Sequence, residues 1–171
     1  MDARRRKLAL VSSHGGHLTE LLELAPAFDG YDTFYFCYDA ETTRGLPNVY
    51  LAPNRPYDPV QFLRNLVRLW GIFRKERPDL VLSTGAEIAI PAFLVAKAMR
   101  LPTLYIECGA QVSRRSVTGR VLVNLSDRFY VQWPELLDAY DGAAAYAGSL
   151  VDETPAGEQR PELESMRKTG T

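Results

Sequence analysis

Histidine is scarce in this 171-residue chain: there are two, His14 and His17, three positions apart. Cysteine is as rare. Cys37 and Cys108 lie far apart, which excludes a disulfide framework, gives no zinc-ligand spacing, and fits two reduced thiols in a reducing compartment. An excess of charge of one sign is also missing. Twenty Lys and Arg stand against 21 Asp and Glu, for a net charge of −1, which argues against a general nucleic-acid binder but leaves room for a local basic patch. Long apolar runs are absent: the longest, Ile88 to Ala96, falls far short of the ~20 residues a membrane-spanning helix needs. The opening Met-Asp-Ala-Arg-Arg-Arg-Lys has neither a signal-peptide core nor a cleavage pattern. The expectation is a chain that does not cross a membrane, though it can lie on one. There is no internal repeat and no low-complexity segment.

The length suits one domain with a real core, and the hydrophobic fraction of 46% is ordinary for a globular protein. Apolar runs alternate with helical patterns. Strands are expected at Lys7–Ser12, Thr33–Tyr38, Asn48–Ala52, Leu80–Ser83, Thr103–Ile106, Arg128–Val131 and Ala144–Ala147. Helices are expected at His17–Phe28, Pro59 to about Glu76, Ala86–Met99 and Val117 to about Leu125. This alternation predicts an α/β fold: a Rossmann-like parallel sheet with helices on both faces, whose ligands bind at the carboxyl ends of the strands. The loops at 12–17, 83–86, 107–116 and 132–135 would then gather Ser13, Gly15, His17, Thr84, Gly85, Glu107, Ser116 and Gln132 toward one edge. Residues 1–151 are expected to form this domain. Residues 152–171 have little to bury and read as a disordered tail, or else as a partner-docking one.

The most informative segment is Ser12-Ser13-His14-Gly15-Gly16-His17, an apolar strand running through a glycine turn into a helix. Gly15 and Gly16 let the backbone approach a ligand closely, and the helix start offers unpaired N–H groups and a positive dipole end to phosphate. The turn lacks G-x-G-x-x-G and no Gly-Lys-Ser/Thr follows, so neither a dinucleotide fingerprint nor a P-loop is present. A purely structural turn remains the alternative. His17, at the helix start, is the candidate general base; His14 carries no assigned role. Thr84-Gly85 reads equally as a helix cap or a ligand contact. Glu107, ending a very apolar strand, must meet water, a cation or hydrogen-bond donors. It is a candidate for orienting a sugar hydroxyl, holding His17, or pairing with Arg114 or Arg115.

In the helix from Pro59, apolar residues cover most of the circumference and Gln61, Arg64, Asn65, Arg68 and Lys75 form a narrow polar stripe. Two readings stand. The helix is buried between sheet and neighbours, or it is interfacial, with Trp70 and Phe73 in the lipid headgroup zone and Arg64 and Arg68 on lipid phosphate.

Several pieces in order carry a resemblance: Ser-Ser-His-Gly-Gly-His-Leu-Thr-Glu (12–20), Phe-Leu-Arg-Asn-Leu (62–66), Lys-Glu-Arg-Pro-Asp (75–79) and Ser-Thr-Gly-Ala-Glu (83–87). Tyr-Ile-Glu (105–107), Ser-Val-Thr-Gly-Arg (116–120), Asp-Arg-Phe-Tyr-Val-Gln-Trp-Pro (127–134) and Gly-Ser-Leu (148–150) continue it. The set, from about Leu8 to Val151, resembles the acceptor-binding subunits of two-component glycosyltransferases. That family's eukaryotic member anchors the N-acetylglucosaminyltransferase that adds the second sugar of dolichol-linked oligosaccharide, and its bacterial members are PssD- or CpsF-type polysaccharide biosynthesis proteins. The acceptor domain of MurG is a more distant likeness.

The resemblance implies the N-terminal half of an inverting, metal-independent GT-B transferase with no cofactor. The acceptor would be a polyprenyl-diphosphate-linked sugar, and a separate chain would bring the UDP-sugar, plausibly UDP-N-acetylglucosamine, in a heterodimer. It places the chain peripherally on the cytoplasmic face of the cell membrane, without nucleic acid. By the resemblance His17 deprotonates the acceptor and Glu107 assists it. Ser13, Gly15, Gly16, Thr19, Glu20, Thr84, Gly85, Gln111, Arg114, Ser116 and Gln132 surround the acceptor and its phosphates. Two departures stand out. Gln111 occupies the place where bacterial relatives usually have Arg, and Arg4-Arg5-Arg6-Lys7 stands where the eukaryotic relative has a membrane anchor. A scaffold that merely recruits a transferase and a stand-alone nucleotide-binding protein are the rival readings.

Overall fold

The computed structural model describes residues 4–150; the expected tail, 152–171, lies outside the described residues. The described residues form a seven-stranded parallel sheet in the order β3-β2-β1-β4-β5-β6-β7. Its strands are β1 (Lys7–Ser12), β2 (Asp32–Tyr38), β3 (Val49–Ala52), β4 (Leu80–Ser83), β5 (Thr103–Ile106), β6 (Arg128–Val131) and β7 (Ala145–Tyr146). Each falls within a residue or so of an apolar run, and β1, β2 and β4, almost wholly buried, are the most continuously apolar.

The helices are α1 (Gly16–Glu23), α2 (Glu41–Arg44), α3 (Pro59–Glu76), α4 (Ala89–Ala98), α5 (Val117–Leu122) and α6 (Leu136–Ala139). The short turns α2 and α6 carry too little periodicity to be expected from sequence. α1 stops well before Phe28. Pro26 has no N–H to donate, and Ala25–Phe28 tighten into a 3₁₀ turn with that proline near its start. α3 has a firm start: the Asp58 carboxylate accepts the N–H groups of Val60 and Gln61, and Pro59 opens the first turn. It ends at Arg77, whose left-handed backbone (φ 51°) precedes Pro78. α4 begins at Ala89 rather than Ala86, because Gly85 (φ 139°) and Ala86 (φ 67°) cannot join a right-handed helix.

Helices lie on both faces of the sheet, unequally. On one face Leu69, Phe73, Phe93, Leu122 and Tyr140 pack onto Ala9, Val11, Phe34, Phe36, Val81, Tyr105 and Phe129. On the other, Leu21, Leu24 and Phe28 cover Leu8, Leu10, Tyr35 and Cys37. There Leu80, Leu104, Ile106 and Tyr130 line an open groove of about 790 Å³, bounded beyond by residues 147–150. The order of strands reverses at β1, with β2 on one side and β4 on the other. This switch point opens a crevice at the carboxyl ends of β1 and β4.

α3 corrects two sequence expectations. Phe73 does not reach a surface; it is fully buried and meets the Phe34 ring edge-on. Gln61 and Asn65 are not part of an outer polar stripe. Both are buried, and the Gln61 amide donates to Asn65 Oδ1 at 2.8 Å. Instead Val60, Leu63, Val67 and Trp70 stand 42–75% exposed along the outer side, with Arg64 exposed beside them. Arg68 turns back on the protein, donating to the Leu51 carbonyl at 2.8 Å and lying over the Phe36 ring. Among the described residues no helix is long and apolar enough to cross a membrane.

Candidate functional site

The crevice at β1 and β4 is built around His17. Gly15, at φ 77°, turns the chain from β1 into α1, a conformation glycine adopts without strain. This puts His17 in the first turn of α1, beside the loop after β4. Two hydrogen bonds lock the pair. Thr84 Oγ1 donates to the His17 carbonyl at 2.7 Å, and His17 Nδ1 lies 3.2 Å from the Thr84 carbonyl. A carbonyl oxygen only accepts, so Nδ1 is the donor, and in the neutral ring Nε2 is the nitrogen with the free lone pair. Thr84 is wholly buried, and its two bonds make it the residue that sets the His17 ring.

Gly85 completes the device. A Cβ there would overlap Nδ1 and Cε1 of the His17 ring, and its φ of 139° is closed to other side chains. Gly85→Ala is therefore expected to lower stability by roughly 1–3 kcal/mol and to displace the ring. Chemical denaturation checks the first and the His17 Cε1–H resonance the second; an unmoved resonance would contradict the packing.

Facing His17 is a cleft of about 600 Å³. Of the residues expected from sequence, Ser13, His17, Gln111, Arg114 and Ser116 line it. Gly15, Gly16 and Thr19 are exposed around the start of α1, where Thr19 Oγ1 donates to the Gly15 carbonyl at 3.3 Å. The cleft also takes in residues without an assigned role: His14, Tyr38, Tyr57, Glu87, Arg115 and Arg120. Tyr38 donates to Glu87 at 2.7 Å; burial first, then this carboxylate, raise the phenol's pKa above its ordinary value. Glu87 ends the Ser-Thr-Gly-Ala-Glu segment, the one signal that marked it. Three arginines against one tyrosine-bound glutamate make the cleft suited to an anion.

Three expected site residues do not line the cleft and are held in hydrogen bonds within the protein. Glu107 is fully buried and makes no hydrogen bond with His17. Its carboxylate accepts from Ser116 Oγ (3.0 Å), the Cys108 N–H (3.1 Å), Tyr105 OH (3.3 Å) and, very closely, Tyr140 OH. Ser116 in turn caps α5 by accepting from the Gly119 N–H at 2.7 Å. Nor does Glu107 pair with Arg115, which lies over the Tyr140 ring and 4.0 Å from Asp141. Burial, and then the hydrogen bond to Glu107, raise the pKa of Tyr140, and burial raises that of Tyr105.

Glu20 and Gln132 are likewise buried, away from the cleft. Glu20 accepts from the Gly109 N–H (3.1 Å), Cys108 Sγ (3.2 Å) and Gln132 Nε2 (2.9 Å), while Gln132 Oε1 accepts from the Leu150 N–H (2.7 Å). Burial and Glu20 push the Cys108 thiol up to about 11. These side chains tie the ends of β5 and β6 and the segment after β7 to α1. The correction has one physical reason: a carboxylate or amide ending an apolar strand meets buried loop N–H and O–H donors before it meets solvent. Among the described residues no group of three His, Cys, Asp or Glu side chains is placed to hold a metal ion.

Residues 59–150 match a family model described as "Oligosaccharide biosynthesis protein Alg14 like". The chain is 33% identical, over 181 aligned positions, to UDP-N-acetylglucosamine transferase subunit ALG14 of Mus musculus, covering 85% of this chain and 83% of that protein. It is 31% identical to the Homo sapiens subunit, covering 54% of this chain and 47% of that one. A Staphylococcus saprophyticus UDP-N-acetylglucosamine--N-acetylmuramyl-(pentapeptide) pyrophosphoryl-undecaprenol N-acetylglucosamine transferase is 27% identical, over 81% of this chain and 43% of that enzyme. For most such relatives the match spans about half their length or less. Among solved structures, Acinetobacter baumannii MurG superposes with TM-score 0.66 at 16% identity, over 76% of this chain and 42% of that one. A UDP-N-acetylglucosamine 2-epimerase from Rickettsia bellii superposes with TM-score 0.71 at 13% identity, over 86% and 46%. At these identities the structures share the fold, of the GT-B type.

Proposed function

This chain belongs to the Alg14-like family of oligosaccharide biosynthesis proteins, and from that premise we propose that it is the acceptor-binding subunit of a two-chain glycosyltransferase. The pair transfers N-acetylglucosamine from UDP-N-acetylglucosamine to a polyprenyl-diphosphate-linked sugar. The observation that carries this reading is the cleft at the switch point, where Thr84 holds His17 through Nδ1 and arginines line the walls.

The step follows from that geometry. His17 Nε2 takes the proton of the acceptor sugar hydroxyl as its oxygen attacks the anomeric carbon of the donor. The anomeric carbon–oxygen bond to UDP breaks, and UDP leaves with the bonding pair. The acceptor diphosphate faces the start of α1 and the side chains of Arg114, Arg115 and Arg120. Thr84 and Gly85 position the base. Glu107, Glu20 and Gln132 hold the surrounding loops and touch no substrate.

Two further surfaces support the reading. The open groove over β4, β5 and β6 is an apolar face for the chain that brings the nucleotide-sugar. The outer side of α3, with Val60, Leu63, Val67, Trp70 and Arg64, suits peripheral contact with an anionic bilayer on the cytoplasmic face. Arg64→Glu with Val67→Asp, both at exposed positions, should release the protein from anionic liposomes in flotation; unchanged flotation would remove the membrane role of α3. The function itself is tested by mixing this chain with a nucleotide-sugar-binding partner, labelled UDP-N-acetylglucosamine and the lipid acceptor. Transfer should require both chains, and transfer by the partner alone would overturn the proposal.

A further inference from the structure

A second cavity, of about 300 Å³, opens beside the cleft. It lies where the first turns of α3, α4 and α5 converge, and Pro59, Phe62, Ile88, Ile90 and Pro91 give it its walls. The two cavities adjoin: Tyr38, Tyr57, Glu87, Val117 and Thr118 line both. Their chemistry differs sharply. Arg55 and Tyr57 line the second cavity from exposed positions, while its other charged and amide groups are satisfied within the protein. Glu87 is held by Tyr38, Asn65 by Gln61, and Asp58 by the first N–H groups of α3. What remains toward the interior is carbon surface. At its outer end the cavity adjoins Val60 and Leu63 on α3, the start of the exposed apolar stripe.

We propose that this cavity is the binding site for the first isoprene units of an isoprenoid diphosphate, whose diphosphate occupies the cation-lined cleft. The inference rests on the acceptor reading above and adds the path of the lipid. The shared wall of the two cavities and the change from an arginine-rich to a mainly apolar lining argue for this occupant. A ligand with an anionic head joined to a branched hydrocarbon chain matches both ends at once. The chain would leave between α3 and α5 at Tyr57 and Val117, which are 77% and 67% exposed, and continue along the α3 stripe into the bilayer.

The test is calorimetric titration of the 171-residue chain with farnesyl diphosphate and, separately, with inorganic pyrophosphate. Farnesyl diphosphate should bind at least about 10-fold more tightly, the equivalent of burying roughly two methylene groups. Ile90→Gln, inside the cavity, should remove most of that difference while leaving pyrophosphate binding within about 2-fold. Phe62→Gln, at a half-buried position on α3 that lines the second cavity and not the cleft, should do the same. Both changes are neutral, so neither repels the diphosphate. Equal binding of the two ligands by the wild-type chain would overturn the proposal. So would a preference for farnesyl diphosphate that survives both substitutions, since the lipid would then run elsewhere. Binding of neither ligand would overturn the diphosphate reading itself, and this inference with it.

Discussion

Glu107→Ala is expected to destabilise the domain by at least about 3 kcal/mol, because it strands several buried donors at once. The hydroxyls of Tyr140, Ser116 and Tyr105 and the Cys108 N–H all converge on that carboxylate. Each buried donor left without an acceptor costs about 1–3 kcal/mol, and water entering the hole recovers part of the sum. Packing leaves little room for rearrangement. A Cβ at Gly119 would already overlap both Glu107 and Tyr140, so α5 and α6 close directly around the carboxylate. A loss of this size lowers Tm by about 6–12 °C in a domain of this length. Thermal unfolding checks it. A variant that melts within about 2 °C of the wild type yet loses transfer would contradict the structural role and return Glu107 to the substrate.

His17→Ala is expected to lower turnover of the two-chain complex by at least about 100-fold, the lower end for loss of a general base, with assembly unchanged. The hydrogen bond to the Thr84 carbonyl occupies Nδ1, so that in the neutral ring Nε2 is the nitrogen left to accept a proton. Position adds to it: the ring stands in the first turn of α1, beside the helix-start N–H groups proposed to face the acceptor's phosphates. The substitution opens little space in the core, since His17 is only partly buried. The complex should therefore co-purify as before. Near-wild-type turnover would remove the catalytic role and favour a chain that only recruits the transferase.

The sheet was legible in the sequence almost residue by residue. Runs such as Leu8–Val11 and Leu80–Leu82 have one use in a chain this size, and Pro59, Pro78 and the Gly15-Gly16 pair punctuate them. The strand–glycine turn–helix arrangement at 12–17 likewise pointed to the crevice. What periodicity misread was direction. In α3 a count of apolar residues cannot tell which side meets the sheet, and the Gln61–Asn65 pair satisfies its own polar groups well enough to be buried. That turns Val60, Leu63 and Val67 outward while Phe73 goes in. The same blindness applies to Glu20, Glu107 and Gln132. A polar residue after a strand looks alike from sequence whether it faces a ligand or staples a loop, and only the neighbouring N–H and O–H groups decide. Tyr38 and Tyr57 reached the cleft without any sequence signal, since both sit in segments that read as strand or loop.

The central claim is that this chain holds the acceptor and leaves the nucleotide-sugar to another. Titrating it alone, in a calorimeter, with a short-chain polyprenyl-diphosphate-linked sugar and then with UDP-N-acetylglucosamine puts that claim to its most direct test. The account predicts saturable binding of the lipid-linked sugar and no heat from UDP-N-acetylglucosamine; tight binding of UDP-N-acetylglucosamine, with none of the lipid-linked sugar, would contradict it.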